Sequence, residues 1–257
     1  MPAMSHKPLS IIRANPINKR EIPEGNFLKV SEFFCDTIQG ENFVGWPAAF
    51  LRLQDCTMNC VWCDTRSVWR YGNPYSFQEL FDLMELANLH TKFQRGQHLV
   101  LTGGSPLKQQ MDLIEFLELY SAIYDFLPYI EVENECCIMP HSDFIPLVKC
   151  WNNSPKLSNS GNARELRYQP EILRTMSRLQ NSWFKFVIEA EEDWQEIQMD
   201  FLDTGLIAID QVVLMPMGGN RQELEHNREV VLSIAVSHNV RYSTREHVVI
   251  WDKATGV

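Results

Sequence analysis

The chain has 257 residues, 45 % hydrophobic and 22 % charged, with a formal net charge of −10, long enough to bury a sizeable core. The acidic balance argues against a general nucleic-acid binder, which needs lysine and arginine to neutralise phosphates, and no apolar run reaches the length of a membrane span. Residues Met1 to Lys7 lack the charged-then-apolar layout of a secretory signal, so a cytoplasmic protein acting on a small molecule, with neither nucleic acid nor membrane as partner, is expected.

Residues 1–26 mix proline, asparagine and charge without steady periodicity and are expected to form an N-terminal extension outside the fold, with the domain proper over 27–257. Apolar stretches of strand length then occur at Ala48 to Leu53, Gln97 to Thr102, Tyr129 to Glu133, Trp183 to Glu189, Gln211 to Met215 and Val248 to Trp251. Helical patterns lie between them. Ser76-Phe77-Gln78-Glu79 is a capping box ahead of Phe77, Leu80, Phe81, Met84 and Ala87 at helical spacing. Leu113, Ile114, Leu117 and Tyr120 mark a second helix, Trp194, Ile197 and Phe201 a third, and Val230, Val231, Ile234 and Ala235 a fourth that begins at Asn220. The polar stretch Ser158 to Arg164 has too little apolar surface to order itself and is expected to be a mobile loop. This alternation predicts an α/β fold of parallel strands joined by right-handed crossovers. In such sheets the chemistry collects at the strands' carboxyl ends. The loops after Leu53, Thr102 and Met215 therefore share one rim.

Of the seven cysteines, Cys35, Cys136, Cys137 and Cys150 are scattered and read as small buried hydrophobes. Cys56-x-x-x-Cys60-x-x-Cys63 is different. Closely spaced thiols in a reducing compartment read as metal ligands, and three thiolates on one loop can hold three irons of a four-iron cluster while leaving the fourth iron open. The alternative is a structural zinc, completed by Cys35 or a histidine such as His90. Gly103-Gly104-Ser105-Pro106 follows an apolar strand and precedes a helix, a place where backbone can approach a ligand closely.

The cysteine spacing resembles that of the radical S-adenosylmethionine superfamily. The resemblance implies a partial, open (β/α) TIM-like barrel as the catalytic domain over 27–257, a [4Fe-4S] cluster on Cys56, Cys60 and Cys63, and S-adenosylmethionine chelated to the open iron. One electron then cleaves the sulfonium to a 5′-deoxyadenosyl radical. It further implies that Trp62 lies beside the adenine and that Gly103, Gly104 and Ser105 meet the cofactor's amino group. Ser105 stands where the superfamily's Gly-Gly-Glu-Pro segment carries glutamate.

More specific are Thr37-Ile38-Gln39-Gly40-Glu41, Gly45-x-Pro47, Phe50-x-Arg52-Leu53, Cys63-Asp64-Thr65, Ser154-Pro155-Lys156, and a tail running from His247 to Gly256-Val257. Together they resemble the 7-carboxy-7-deazaguanine synthase (QueE) family. That resemblance implies ring contraction of 6-carboxy-5,6,7,8-tetrahydropterin with loss of ammonia. Substrate contacts would come from Ile38, Gln39, Gly40, Glu41, Arg52, Thr102, His247 and the Val257 carboxylate. S-adenosylmethionine contacts would include Cys63, Asp64, Ser154, Pro155, Lys156, Met215 and Met217, and Thr65 would ligate Mg²⁺. A reductase such as flavodoxin and a homodimer are implied as well. The residue chemistry agrees: a carboxylate suits the planar fork of Arg52, and a guanidine-like edge suits the acceptors of Gln39 and Glu41. Glu133-Asn134-Glu135-Cys136 replaces the family's Glu-Thr-Asn-Gly, and Arg245-Glu246-His247 its Gln-Thr-His. The alternatives are another small radical enzyme, such as a glycyl-radical activator, and a non-catalytic interaction protein that keeps the fold.

Overall fold

Apolar, β-branched and aromatic runs bury both faces of a parallel sheet, and here they do so in chain order. A computed structural model of the protein describes residues 8–253 except 16 and 18. Its strands are β1 (Leu9–Ile12), β2 (Phe27–Ile38), β3 (Pro47–Leu53), β4 (Asn73–Ser76), β5 (His98–Gly103), β6 (Tyr129–Asn134), β7 (Cys150–Asn153), β8 (Ser182–Ile188), β9 (Val212–Pro216) and β10 (Arg241–Tyr242). They form one ten-stranded sheet in the order β1-β2-β3-β5-β6-β7-β8-β9-β10, with β4 on β2. From β3 to β10 every pairing is parallel, whereas β1, β2, β3 and β4 pair antiparallel with one another at one side. β1 and β10 end the pairing order without meeting, so the α/β sheet is a partial, open barrel.

The helices are α1 (Arg66–Trp69), α2 (Phe77–Leu86), α3 (Leu89–Gln94), α4 (Gln110–Tyr124), α5 (Arg164–Arg167), α6 (Pro170–Ser177), α7 (Glu191–Ile197), α8 (Arg221–Ser237) and α9 (Glu246–Trp251). Two start where their caps dictate. Ser76 accepts from the Glu79 amide and Glu79 returns a bond to the Ser76 amide at α2, and the Asn220 side chain accepts from the Glu223 amide at α8, each cap worth about 1 kcal/mol. The main core joins sheet residues such as Leu51, Leu101 and Phe186 to helix residues such as Phe81, Leu117 and Ile234, each such burial contributing roughly 1.5–3 kcal/mol. Phe34, Ala48, Phe50 and Val100 form a separate small cluster.

Four local expectations need correction. The stretch Leu9–Ile12 pairs with β2, so part of the N-terminal extension is an edge strand of the sheet. Val248 to Trp251 lies in helix α9, not in a strand: only Val248 is buried, while Val249 and Ile250 are exposed. Arg221 stabilises that helix end by donating to the Val249 and Ile250 carbonyls, which overrides the β-branched propensity. Residues 158–164 are ordered because their polar groups are used: Ser158 bonds Glu196, Asn159 bonds Val187 and Asp193, and the Ser160 carbonyl accepts from Val61. Cys137 is only half-buried, unlike Cys35, Cys136 and Cys150. Strands β2, β4, β7 and β10 have no counterpart among the apolar stretches. β2 is broken by a bulge at Asp36, where φ is +59°, and β7 carries Asn152 and Asn153, polar residues that are fully buried.

Candidate active site

Parallel pairing puts the carboxyl ends of β3, β5, β6, β7, β8 and β9 along one edge of the sheet. The three-cysteine loop leaves the end of β3. It is seated on the end of β5: a Cβ on Gly104 would lie 2.2 Å from the Asp55 carbonyl oxygen, and one on Gly103 would lie 2.5 Å from that of Leu53. The Ser105 amide donates to Asp55 at 2.8 Å. The glycine pair therefore makes room for the loop's backbone first, and both glycines also face the cavity that the loop encloses.

That cavity, about 150 Å³, is lined by Cys56, Cys60 and Cys63 together with Trp62, Lys156 and Glu135. Each sulfur has a donor: the Met58 amide at 3.3 Å for Cys56, Asn162 Nδ2 at 3.3 Å for Cys60, and Trp69 Nε1 at 3.5 Å for Cys63. Burial pushes the Cys56 and Cys60 thiols up, so their thiolates call for a cationic partner, which iron provides. The residues fit an iron–sulfur cluster better than a zinc ion. Among the described residues no three His, Cys, Asp or Glu side chains converge on a single metal position. The two suggested fourth ligands lie elsewhere, His90 bonded to Tyr120 and Cys35 in the main core. Donors on sulfur tune a cluster's potential. Asn162→Ala and Trp69→Phe should each make the reduction potential of the reconstituted protein more negative by tens of millivolts, about 59 mV corresponding to about 1.4 kcal/mol for one electron. Unchanged potentials in redox titrations at full iron loading would count against this role.

A second cavity, about 220 Å³, adjoins the first. Asp64, Thr65, Gly103, Glu133, Lys185, Met215 and Arg245 line both. Ile38, Gly40, Glu41, Arg52 and His247 come together there with the stacked rings of Phe34 and Phe50, 5.1 Å apart. Arg52, next to Glu32 across the β2–β3 register, bonds it through Nε at 3.1 Å. Its terminal nitrogens have no protein partner among the described residues. Glu41 pairs with Lys185, yet its Oε2 is buried without a hydrogen-bond partner. Burial pushes the Glu41 carboxyl up to about 7, against the pull of Lys185 and with the help of nearby Glu133.

Gln39 lines this cavity too, but its side chain is used by the protein. Oε1 accepts from the Gly40 and Glu41 amides, and Nε2 donates to Glu131 at 3.0 Å. It therefore shapes the turn. Thr102 donates to Glu133, and Ser105 is fully buried beneath the thiols. Lys156 Nζ bonds the Ser154 carbonyl and hydroxyl at 2.7 and 2.8 Å and lies 5.7 Å from the Trp62 ring centroid, with Pro155 buried between them in sequence. Met217 lines a neighbouring groove with Trp62, Cys63 and Asp64. His247 is on α9, and Val257 falls outside the described residues.

Four residues of this region were not picked out from sequence. Lys185 is a lone charge in the apolar run Trp183-Phe184-Lys185-Phe186-Val187, the same signal that marked Arg52. Glu133 is a charge one residue before the end of an apolar strand. Arg245 and Glu135 stand in the two segments that depart from the family pattern, and that departure is their signal in the sequence. Arg245 bonds both Asp64 on the cysteine loop and the Gly218 carbonyl, joining two loops of the rim. Although burial alone would raise it, the Asp64 carboxyl is held well below the usual range by Arg245, His247 and Arg52.

Comparison with known proteins agrees with this geometry. Residues 39–125 match the family model described as a 4Fe-4S single cluster domain. The 7-carboxy-7-deazaguanine synthase of Pyrobaculum aerophilum is 30 % identical over 89 % of this chain and 97 % of its own, and that of Halobacterium salinarum is 27 % identical over 90 % and 93 %. The crystal structure of QueE from Escherichia coli superposes with a TM-score of 0.62 at 19 % identity, covering 85 % of this chain and 94 % of that one, a likeness of fold. With a relative at this identity aligned along nearly its whole length, and with the three thiols and the charged cavity on one rim, the chain belongs to the 7-carboxy-7-deazaguanine synthase family.

Proposed function

We propose that the protein converts 6-carboxy-5,6,7,8-tetrahydropterin to 7-carboxy-7-deazaguanine with loss of ammonia, using a [4Fe-4S] cluster, S-adenosylmethionine and Mg²⁺. One observation carries this reading. A cavity whose lining includes the cations Arg52 and Lys185 and the carboxylates Glu41 and Glu133 shares a wall with the cavity of the three thiols. A planar ring with a carboxylate at one end and N–H donors at the other would lie against a cofactor held at the cluster. The cluster and S-adenosylmethionine, when bound, supply one-electron cleavage of the sulfonium and hence hydrogen-atom abstraction.

The chain's own residues do the rest. Arg52, oriented by Glu32, offers its terminal nitrogens to the substrate carboxylate. Glu41 and Glu133 accept from the pyrimidine edge. Phe34 and Phe50 provide an apolar floor. The Thr65 hydroxyl makes no capping bond to α1 and is a neutral oxygen ligand suited to Mg²⁺. Arg245 and His247 hold the C-terminal segment to Asp64 and narrow the way in for water. A one-electron reductase such as flavodoxin, a homodimeric assembly and a cytoplasmic setting belong to the same reading. A glycyl-radical activator would act on a protein backbone and has no use for Glu41 and Glu133 set beside Arg52 and Lys185.

The test is anaerobic reconstitution with iron and sulfide, then incubation with reductant, S-adenosylmethionine, Mg²⁺ and carboxytetrahydropterin, with mass detection of 7-carboxy-7-deazaguanine. Formation of 5′-deoxyadenosine without the deazapurine would overturn the substrate assignment. A second expectation follows from Glu41. The carboxyl near 7 is mostly protonated at pH 6 and mostly ionised at pH 8, and only the ionised form accepts two N–H donors. kcat/KM should therefore rise roughly tenfold over that range. In Glu41→Gln the rise should vanish; a pH profile that keeps it would assign the titration to another group.

A further inference from the structure

Glu135 is a buried carboxylate that the roles above leave unused. It is 5 % exposed and follows the end of β6. Its Oε1 accepts from the Thr57 and Ser105 hydroxyls, each at 2.7 Å. Its Oε2 is buried and has no hydrogen-bond partner, although the residue lines the cavity that Cys56, Cys60 and Cys63 also line. A carboxylate oxygen withdrawn from water and left unpaired is unfavourable unless a ligand brings a donor to it. The one lysine of that cavity outside the Glu41 pair, Lys156, is already spent on Ser154.

Building on the function proposed above, we infer that Glu135 Oε2 receives the α-ammonium group of S-adenosylmethionine. The chemistry matches: a fixed carboxylate beside the thiols offers a charge-assisted hydrogen bond to an N–H donor that carries a positive charge. Two hydroxyls that donate to Oε1 orient the group and leave Oε2 pointing away from them. The inference also accounts for Ser105. Its hydroxyl does not reach the cavity but clamps Glu135, so the negative charge at this place comes from the strand next to the Gly-Gly turn, with the serine as its positioning residue.

The test uses reconstituted full-length protein without reductant, so that the cofactor stays intact, and measures iron content and ligand affinity by anaerobic calorimetry. Glu135→Gln should keep its iron and bind S-adenosylmethionine at least about tenfold more weakly, while 5′-methylthioadenosine, which lacks the amino-acid end, binds both proteins alike. Ser105→Glu combined with Glu135→Ser returns a carboxylate from the neighbouring position and should recover affinity. Equal affinity of Glu135→Gln and the native protein would overturn the inference. So would loss of iron in that variant, which would place Glu135 in holding the cysteine loop through Thr57. A native protein that holds iron but fails to bind S-adenosylmethionine would instead sink the function proposed above.

Discussion

Gly104→Ala should leave the protein unable to hold iron. The added Cβ would sit 2.2 Å from the Asp55 carbonyl oxygen and 2.5 Å from Cys56 Cβ, and neither is the end of a flexible side chain that could swing away. Asp55 is also fixed by the Ser105 and Trp69 backbone, accepting from one and donating to the other. The loop must therefore lift from the end of β5, and the three thiols lose their common cavity. Such overpacking destabilises by about 1–3 kcal/mol, so the fold should survive in far-ultraviolet circular dichroism while reconstituted iron falls from about four atoms per chain toward none. Gly219→Ala is the control. Its Cβ would meet only ordinary contacts at 3.7 and 3.9 Å, so iron should be retained. Full iron loading in Gly104→Ala would show that the loop is not seated as described.

Arg52→Ala should remove turnover while leaving iron content and S-adenosylmethionine binding in place. Truncating one partner of a desolvated charge pair costs about 2–5 kcal/mol, or roughly 30-fold to several thousand-fold in kcat/KM. Part of the effect will be on stability, because Glu32 is 6 % exposed and loses its counter-charge. Burial already pushes the Glu32 carboxyl up, and Arg52 opposes that rise. The double variant Arg52→Ala/Glu32→Gln separates the two effects: thermal stability should recover and turnover should not. Arg52→Lys should be intermediate, since a point charge cannot serve Glu32 and a substrate carboxylate together. Recovery of turnover in the double variant would reduce Arg52 to a structural partner of Glu32.

Much of the architecture was legible because local chemistry and fold agree. Capping residues placed the starts of α2 and α8, and apolar runs located β3, β5, β6, β8 and β9 to within a residue or two at their ends. Position along the chain then put the cysteine loop, the glycine pair and the loop after Met215 on one rim. What failed was whatever depends on partners distant in sequence. The run Val248 to Trp251 is rich in β-branched residues yet helical, because Arg221 and, through His247, Asp64 hold it from other elements. The polar stretch after Lys156 is ordered because Glu196, Asp193 and Val61 consume its donors and acceptors. β7 escaped notice because two asparagines occupy a fully buried strand.

Residue type and spacing alone thus determined that three thiols share a loop, that glycines follow the next parallel strand, and that a charge in an apolar strand needs a partner. These are short-range facts, written within a few residues. Only the tertiary structure decided which groups are spent and which are free: Gln39 consumed by its own turn and Glu131, Ser105 turned to Glu135, Glu41 set against Lys185 with one oxygen unpaired. Hydrogen-bond satisfaction of a buried group depends on atoms brought together from strands far apart in the chain, and no local pattern of residues encodes that pairing.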